Sequence, residues 1–417
     1  MRYDLRKEWG LMKKIIILFC LVLLTGCSMI ERAMLPKRFR PESNVPTELK
    51  YDVSIIEVDF GLEKDIHATA FFEVDSKLYF SKVGCEKSSI NENRSICYSV
   101  GVFSYDLNSK KLVEEIKLGP ADSFWVNSII VFEDRIFVSG GEVVKDYSSS
   151  EFRDYEISVF RDGVKKTLMT GQSYGERNTP ILVQFDDSSF VFIQEEWKRI
   201  DDSTTEVNYE LTWMSMEENT ESLSLFHKTI KDDVSTPVGY VQSDSVEVNA
   251  NQIVFTYSEN NQSYYNRVLY DLNTKQFTRR NPVPIRYEWQ AMGLVFLKNA
   301  ILIPVMNFSY SSNAFGDRLD VFDPSNGNRI ASQNFQTPIE TLEAIDDDSA
   351  LVYAYFIPLQ HLYIATVVGD TIEYQAIDGV SSTTNVETTR LSDGRILIMT
   401  VDSERKPSYR ILEFTKK

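Results

Sequence analysis

An all-β fold is predicted by three features of this 417-residue chain. Beyond residue 50 helical periodicity is scarce, whereas apolar–polar alternation is common, as in KLYFSKV, RIFVSGG and RILIMTV. Tyr and Phe, which favour strands, are abundant at 21 and 25 residues. The third feature is a short pattern that recurs seven times: an apolar residue, a polar turn, then a hydrophobic strand.

The seven copies are VDSKLYF (74–80), FEDRIFV (132–138), FDDSSFVF (185–192), VNANQIVF (248–255), LKNAILI (297–303), IDDDSALV (345–352) and LSDGRILI (391–398). The first apolar residues after the turns are Leu78, Ile136, Phe190, Ile253, Ile301, Leu351 and Ile396, spaced 53 residues apart on average. About 20 to 25 residues after several of these turns comes a second strand-into-turn element: FSYDLNSKKL, SVFRDGVKKT, VLYDLNTKQF and DVFDPSNGNR. Their Asp, Asn, Gly and Ser residues supply tight-turn chemistry. Each unit thus holds two hairpins, or four strands, and such units resemble the WD40-like blades of a β-propeller. The expectation is a single propeller over 51–417 with seven four-stranded blades, although six or eight also fit the spacing. The last unit (380–417) has room for three strands, and VSIIEVDF (53–60) can supply the fourth. That closure would leave no bare strand edge between the first and last blades. A pair of β-sandwich domains is the competing architecture, but it gives no reason for seven similar spacings.

The N-terminus carries a different signal. In MKKIIILFCLVLLTGC (12–27), two lysines precede ten apolar residues, too short a run to span a bilayer but suited to a secretory signal. Asp4 and Glu8 fit that signal poorly, so Met12 is an alternative start. The ending Leu24-Thr25-Gly26-Cys27 resembles the lipobox of bacterial lipoproteins. The resemblance implies that residues 1–26 are a signal peptide and that Cys27 becomes the mature first residue. It also implies that Cys27 carries a diacylglycerol and an N-acyl chain such as palmitate. Two or more chains anchor stably at ~0.8 kcal/mol per buried methylene. Residues 27–50, interrupted by Pro36, Pro41 and Pro46, read as the lipidated end and a tether.

Removing residues 1–26 takes away five basic and two acidic residues and moves the formal charge from −17 to −20. So acidic a body repels nucleic acid and anionic headgroups, which leaves the lipid as its hold on a membrane. Cys85 and Cys97 remain in the exported domain, either as a disulfide or as two thiols on neighbouring strands.

Chemistry is harder to find. The histidines His67, His227 and His361 are far apart in sequence, which disfavours a His-based metal site, and no cofactor is expected. Adjacent acids such as Asp186-Asp187 and Asp346 to Asp348 sit at turns, where they mostly meet water. Neighbours along a strand point to opposite faces and cannot form a catalytic carboxylate pair. No nucleophile-elbow, zinc-protease, phosphate-loop or dinucleotide motif is present. The binding candidates are Trp125 (in DSFWVN), Trp289 (in RYEWQA) and Arg177 (in ERNTP), placed where an innermost strand would begin. The alternative is that the tryptophans only pack between blades.

The lipobox, tether and acidic propeller-like body together resemble bacterial surface or periplasmic propeller lipoproteins, which act as scaffolds. That implies a monomer anchored to the cell membrane or to the periplasmic face of the outer membrane, binding an envelope protein. An envelope glycan hydrolase or lyase with its site at the central funnel is the other reading, and small-ligand sensing is a third.

Overall fold

The computed structural model describes residues 49–417 except 63–65, 88–94, 119–123, 143–151, 175–179, 201–203, 218–221, 234–245, 250–251, 258–263, 272–273, 275, 285–288, 292–294, 308–317, 335–338, 357–358, 381–385 and 402–405. Cys27 and Arg177 lie outside the described residues.

The described elements are all strands, and they form seven antiparallel sheets built as consecutive meanders. The first sheet uses His67–Val74, Lys77–Lys87, Ser95–Asp106 and Leu112–Lys117. The second uses Phe124–Phe132, Arg135–Glu142, Phe152–Arg161 and Val164–Tyr174. Each recurring turn found in the sequence leads into the second strand of its own sheet. Leu78, Phe190, Ile301, Leu351 and Ile396 at those positions are all buried. Tight hairpins follow the turn residues: Asp75 and Ser76, then Asp162 and Gly163, adopt the paired positive φ that two-residue hairpins require.

In the fifth sheet two short described pieces, Trp289–Ala291 and Val295–Phe296, both pair with Ile301–Asn307, on the side where the other sheets place their first strand.

Strand Tyr51–Val58 pairs along its whole length with Pro407–Lys416, from Tyr51–Lys416 to Val58–Tyr409. The seventh sheet is therefore made from both ends of the β region, in the order Tyr51–Val58, Pro407–Lys416, Ile396–Val401, Glu387–Arg390.

Hydrophobic cores lie between neighbouring sheets rather than within one. Continuous clusters join the sixth sheet to the seventh, the seventh to the first, the first to the second and the second to the third. First strands of neighbouring sheets also meet, as His67–Val74 does with Phe124–Phe132 and Ile339–Ala344 with Glu387–Arg390. The arrangement is propeller-like, with first strands inward. Buried side chains staple it further by taking the backbone N–H of the next sheet. Tyr409 Oη accepts from Ala68 N at 2.6 Å, Ser99 Oγ from Val126 N at 2.9 Å, and Ser128 Oγ from Leu182 N at 2.9 Å. Those amides would otherwise be buried without partners, at ~1–3 kcal/mol each.

The IDDDSALV turn has a larger role than a solvated loop. Tyr51 Oη donates to Asp346 Oδ2 at 2.6 Å, and Lys416 Nζ reaches the same oxygen at 3.0 Å. Gln375 grips the Tyr51 backbone from both sides, donating to its carbonyl at 2.8 Å and accepting from its N–H at 3.2 Å. On the other flank Lys298 Nζ pairs with Asp347 at 3.0 Å. The turn thus clasps the closing strand of the seventh sheet to the sixth.

Partial burial alone would raise the Asp346 pKa, but hydrogen bonds from Tyr51, the Asp348 amide and Lys416 outweigh it and hold it below the ordinary value. The folded state then binds this proton less readily than the unfolded chain. Its stabilisation is complete above about pH 4 and is lost as pH falls through the folded pKa. Asp346→Asn is expected to flatten the acid side of the stability–pH profile, measured by urea unfolding between neutral pH and the acid transition. An acid limb identical to that of the parent would remove Asp346 from the clasp.

Candidate functional site

In a four-stranded meander the last strand ends where the first began, so every inner strand starts at the same end of the molecule. That end gathers His67, Phe124, Trp125, Trp289 and Glu387 from four sheets. Trp125 is half-buried at the second position of its strand, opposite Gly141. Trp289 opens the inner strand of the fifth sheet, opposite Asn307; its side chain lies outside what is described. The two tryptophans thus start inner strands, as their spacing predicted, on sheets that are not sequence neighbours.

His67 and Glu387 were not singled out by sequence reasoning, because a lone His and a lone Glu in strands carry no local signal. They begin the inner strands of the first and seventh sheets. Water reaches Glu387, yet crowding by protein raises its carboxyl pKa. Burial lowers the His67 pKa, which favours neutral imidazole. A carboxyl pushed up toward neutrality is the direction a general acid needs, whereas the imidazole is only held neutral. Among the described residues no group of three or more metal-ligating side chains converges.

A second feature lies between the first and second sheets. There a cleft of about 760 Å³ opens, with Val102, Ile116 and Leu118 on one wall and Phe124, Val138 and Phe160 on the other. These residues belong to the core cluster joining the two sheets, so the cleft is an opening in that core. Gly140 makes room for one wall: a Cβ there would lie 2.3 Å from the Phe124 ring and 2.4 Å from the Trp125 carbonyl. The ring can come this close to the strand only because residue 140 has no side chain.

The polar groups of the cleft are Lys117, Asp154, Tyr155, Glu156, Lys165 and Thr170. Lys165 Nζ is 5.7 Å from the Phe124 ring centroid and pairs with the Glu156 carboxylate. Its charge is thereby satisfied from two sides. Lys117, on the wall of the first sheet, is exposed and has no ion-pair partner among the described residues. Apolar walls with a few charged groups are what an amphipathic ligand needs.

Cys85 and Cys97 are directly opposite in paired strands of the first sheet, with Cα atoms 4.0 Å and sulfur atoms 2.10 Å apart. They sit at the hairpin end, away from the turn that begins the second strand.

No family model matches the chain, and no curated protein does. Solved structures of low identity do. An oligogalacturonate lyase in complex with manganese is 11% identical, with 88% of this chain and 97% of that chain covered and a TM-score of 0.49. BamB from Moraxella catarrhalis is 10% identical, covering 87% and 98%, with a TM-score of 0.41. The N-terminal domain of Nup159 is 10% identical, covering 89% and 98%, with a TM-score of 0.45. Such identities and TM-scores say nothing of shared function.

Proposed function

We propose that this chain is a lipid-anchored extracytoplasmic protein whose closed, seven-bladed propeller binds an envelope protein partner without catalysing a reaction. The observation that carries the binding reading is the cleft between the first two sheets, with its apolar walls and its internally balanced Lys165–Glu156 pair. The seven sheets among the described residues, the last one shared by both ends of the β region, support seven blades in one ring. The LTGC ending at Cys27 supports the anchor, and the tether of residues 28–50 joins it to the closing strand. The facing Cys85 and Cys97 suit an oxidising compartment, where the bridge would form. The body is a monomer on the cell membrane or on the periplasmic face of the outer membrane.

Replacing Cys27 with alanine is expected to move the protein from the membrane pellet to the soluble fraction after cell lysis. Full retention in the pellet would sink the anchor.

A second reading has its own observation, the raised Glu387 carboxyl and the lowered His67 imidazole at the starts of the inner strands of the seventh and first sheets. There Glu387 would act as general acid in an envelope glycan hydrolase or lyase. Screening envelope glycans for chain cleavage separates the readings: turnover abolished by Glu387→Gln would favour the enzyme over the binder.

A further inference from the structure

We propose that the cleft between the first and second sheets takes an extended peptide, added as a strand along Leu112–Lys117, with an apolar side chain in the cleft and a carboxylate at Lys117. This inference rests on the protein-binding reading above and assigns it a site and a ligand chemistry.

Leu112–Lys117 is the outer strand of its sheet, paired only with Ser95–Asp106. A strand in that position keeps one row of N–H and C=O groups free for another chain. It also exposes Leu112 and Val113, at 39% and 38% of their full surface. The strand runs directly into the cleft: Ile116, Lys117 and then Leu118 form its wall. Recognition by strand addition needs two things, a free edge for main-chain hydrogen bonds and a pocket for alternate side chains. Both are present here, joined end to end.

Charge selects the peptide. Glu156 and the Phe124 ring already satisfy Lys165, so Lys117 is the cleft cation with no ion-pair partner among the described residues, facing a wall that also carries Asp154. The chain as a whole carries −17, which would repel an acidic partner at a distance. At physiological salt that repulsion is screened beyond ~8 Å, so the local lysine decides the fit. A side-chain carboxylate meeting Lys117 makes a charge-assisted hydrogen bond, while its neighbour one position along, on the opposite face of the added strand, enters the apolar space beside Ile116.

The test uses the full chain in detergent micelles and a dye-labelled peptide that alternates threonine with leucine and carries one aspartate, read by fluorescence anisotropy. Saturable binding is expected. Thr170→Trp, at an exposed position on the opposite wall, fills the cleft and should abolish it. Lys117→Glu should weaken it roughly tenfold, as for one hydrogen bond to a charged group, and should transfer preference to the same peptide with lysine for aspartate. Equal binding of a peptide with proline at alternate positions, or binding indifferent to Thr170→Trp, would overturn strand addition in the cleft. In native envelope, a photoreactive residue replacing Val113 should cross-link a protein. Cross-links from Val368, exposed on the sixth sheet, but not from position 113 would refute this site and leave the binding reading intact. An absence of protein cross-links from every exposed position tried would overturn both.

Discussion

Replacing Phe60 with alanine is expected to lower the unfolding free energy by about 3–5 kcal/mol, the range for a large aromatic side chain removed from a core. Phe60 lies between the closing strand and the first strand of the first sheet, and it is 2% exposed. Its ring centroid is 4.6 Å from that of Phe80, 4.8 Å from Tyr409, 5.1 Å from Tyr105 and 6.0 Å from Phe71. Phe80, Phe71 and Tyr105 come from the first sheet, and Tyr409 from the seventh. Removal therefore opens a cavity where the two ends of the ring meet. Tyr409 also holds the Ala68 amide, so relaxation into the cavity would disturb a buried hydrogen bond. Urea unfolding of parent and variant gives the comparison. A loss below about 1 kcal/mol, the scale of a surface substitution, would show that Phe60 is not the centre of the junction.

The second large effect is expected at Asp320. Its Oδ1 accepts from Arg318 Nε at 2.7 Å and from Ser332 Oγ at 2.7 Å, and its Oδ2 from Arg318 Nη2 at 2.5 Å. The two side chains are 3% and 10% exposed, on one face of the central strand Arg318–Phe322. Arg329 Nη1 stands further off, at 3.9 Å. Asp320→Ala leaves the Arg318 guanidinium buried without its bidentate partner, at a cost of about 3–5 kcal/mol. The double change Arg318→Met with Asp320→Leu removes both charges and should recover most of that loss, because a buried pair stabilises little over apolar residues of similar size. A double variant as unstable as Asp320→Ala would mean that the damage is steric rather than electrostatic.

The fold was legible in the sequence because its signal is repeated. One turn followed by an apolar strand is ambiguous, but seven at similar spacing define the second strand of each sheet. The closing role of VSIIEVDF was legible from alternation and from the missing fourth strand of the last unit. IDDDSALV was read as a solvated turn because its bonds run to Tyr51 and Lys416, residues 295 and 70 positions away. Local chemistry cannot announce such partners. The cleft was missed for the same reason: its walls are ordinary strand residues, and only the packing of two sheets separates them. Phe124, beside the Trp125 that sequence reasoning chose, proved to be the residue lining it. The glycine pair at 140–141 was the one available hint, since glycine inside a strand marks close approach.

Closure of the β region into one ring, by pairing Tyr51–Val58 with Pro407–Lys416, is the claim on which the propeller reading depends. Ser54 and Glu413 are opposite one another in that register, with Ser54 Oγ donating to a Glu413 carboxylate oxygen at 3.1 Å. Cysteines placed at both positions should form an intramolecular disulfide under mild oxidation, detected by mass spectrometry of the linked peptides. A cysteine at 54 paired instead with one at 410 should not cross-link. Cross-linking of the 54–410 pair, or of neither pair, would contradict the closed ring.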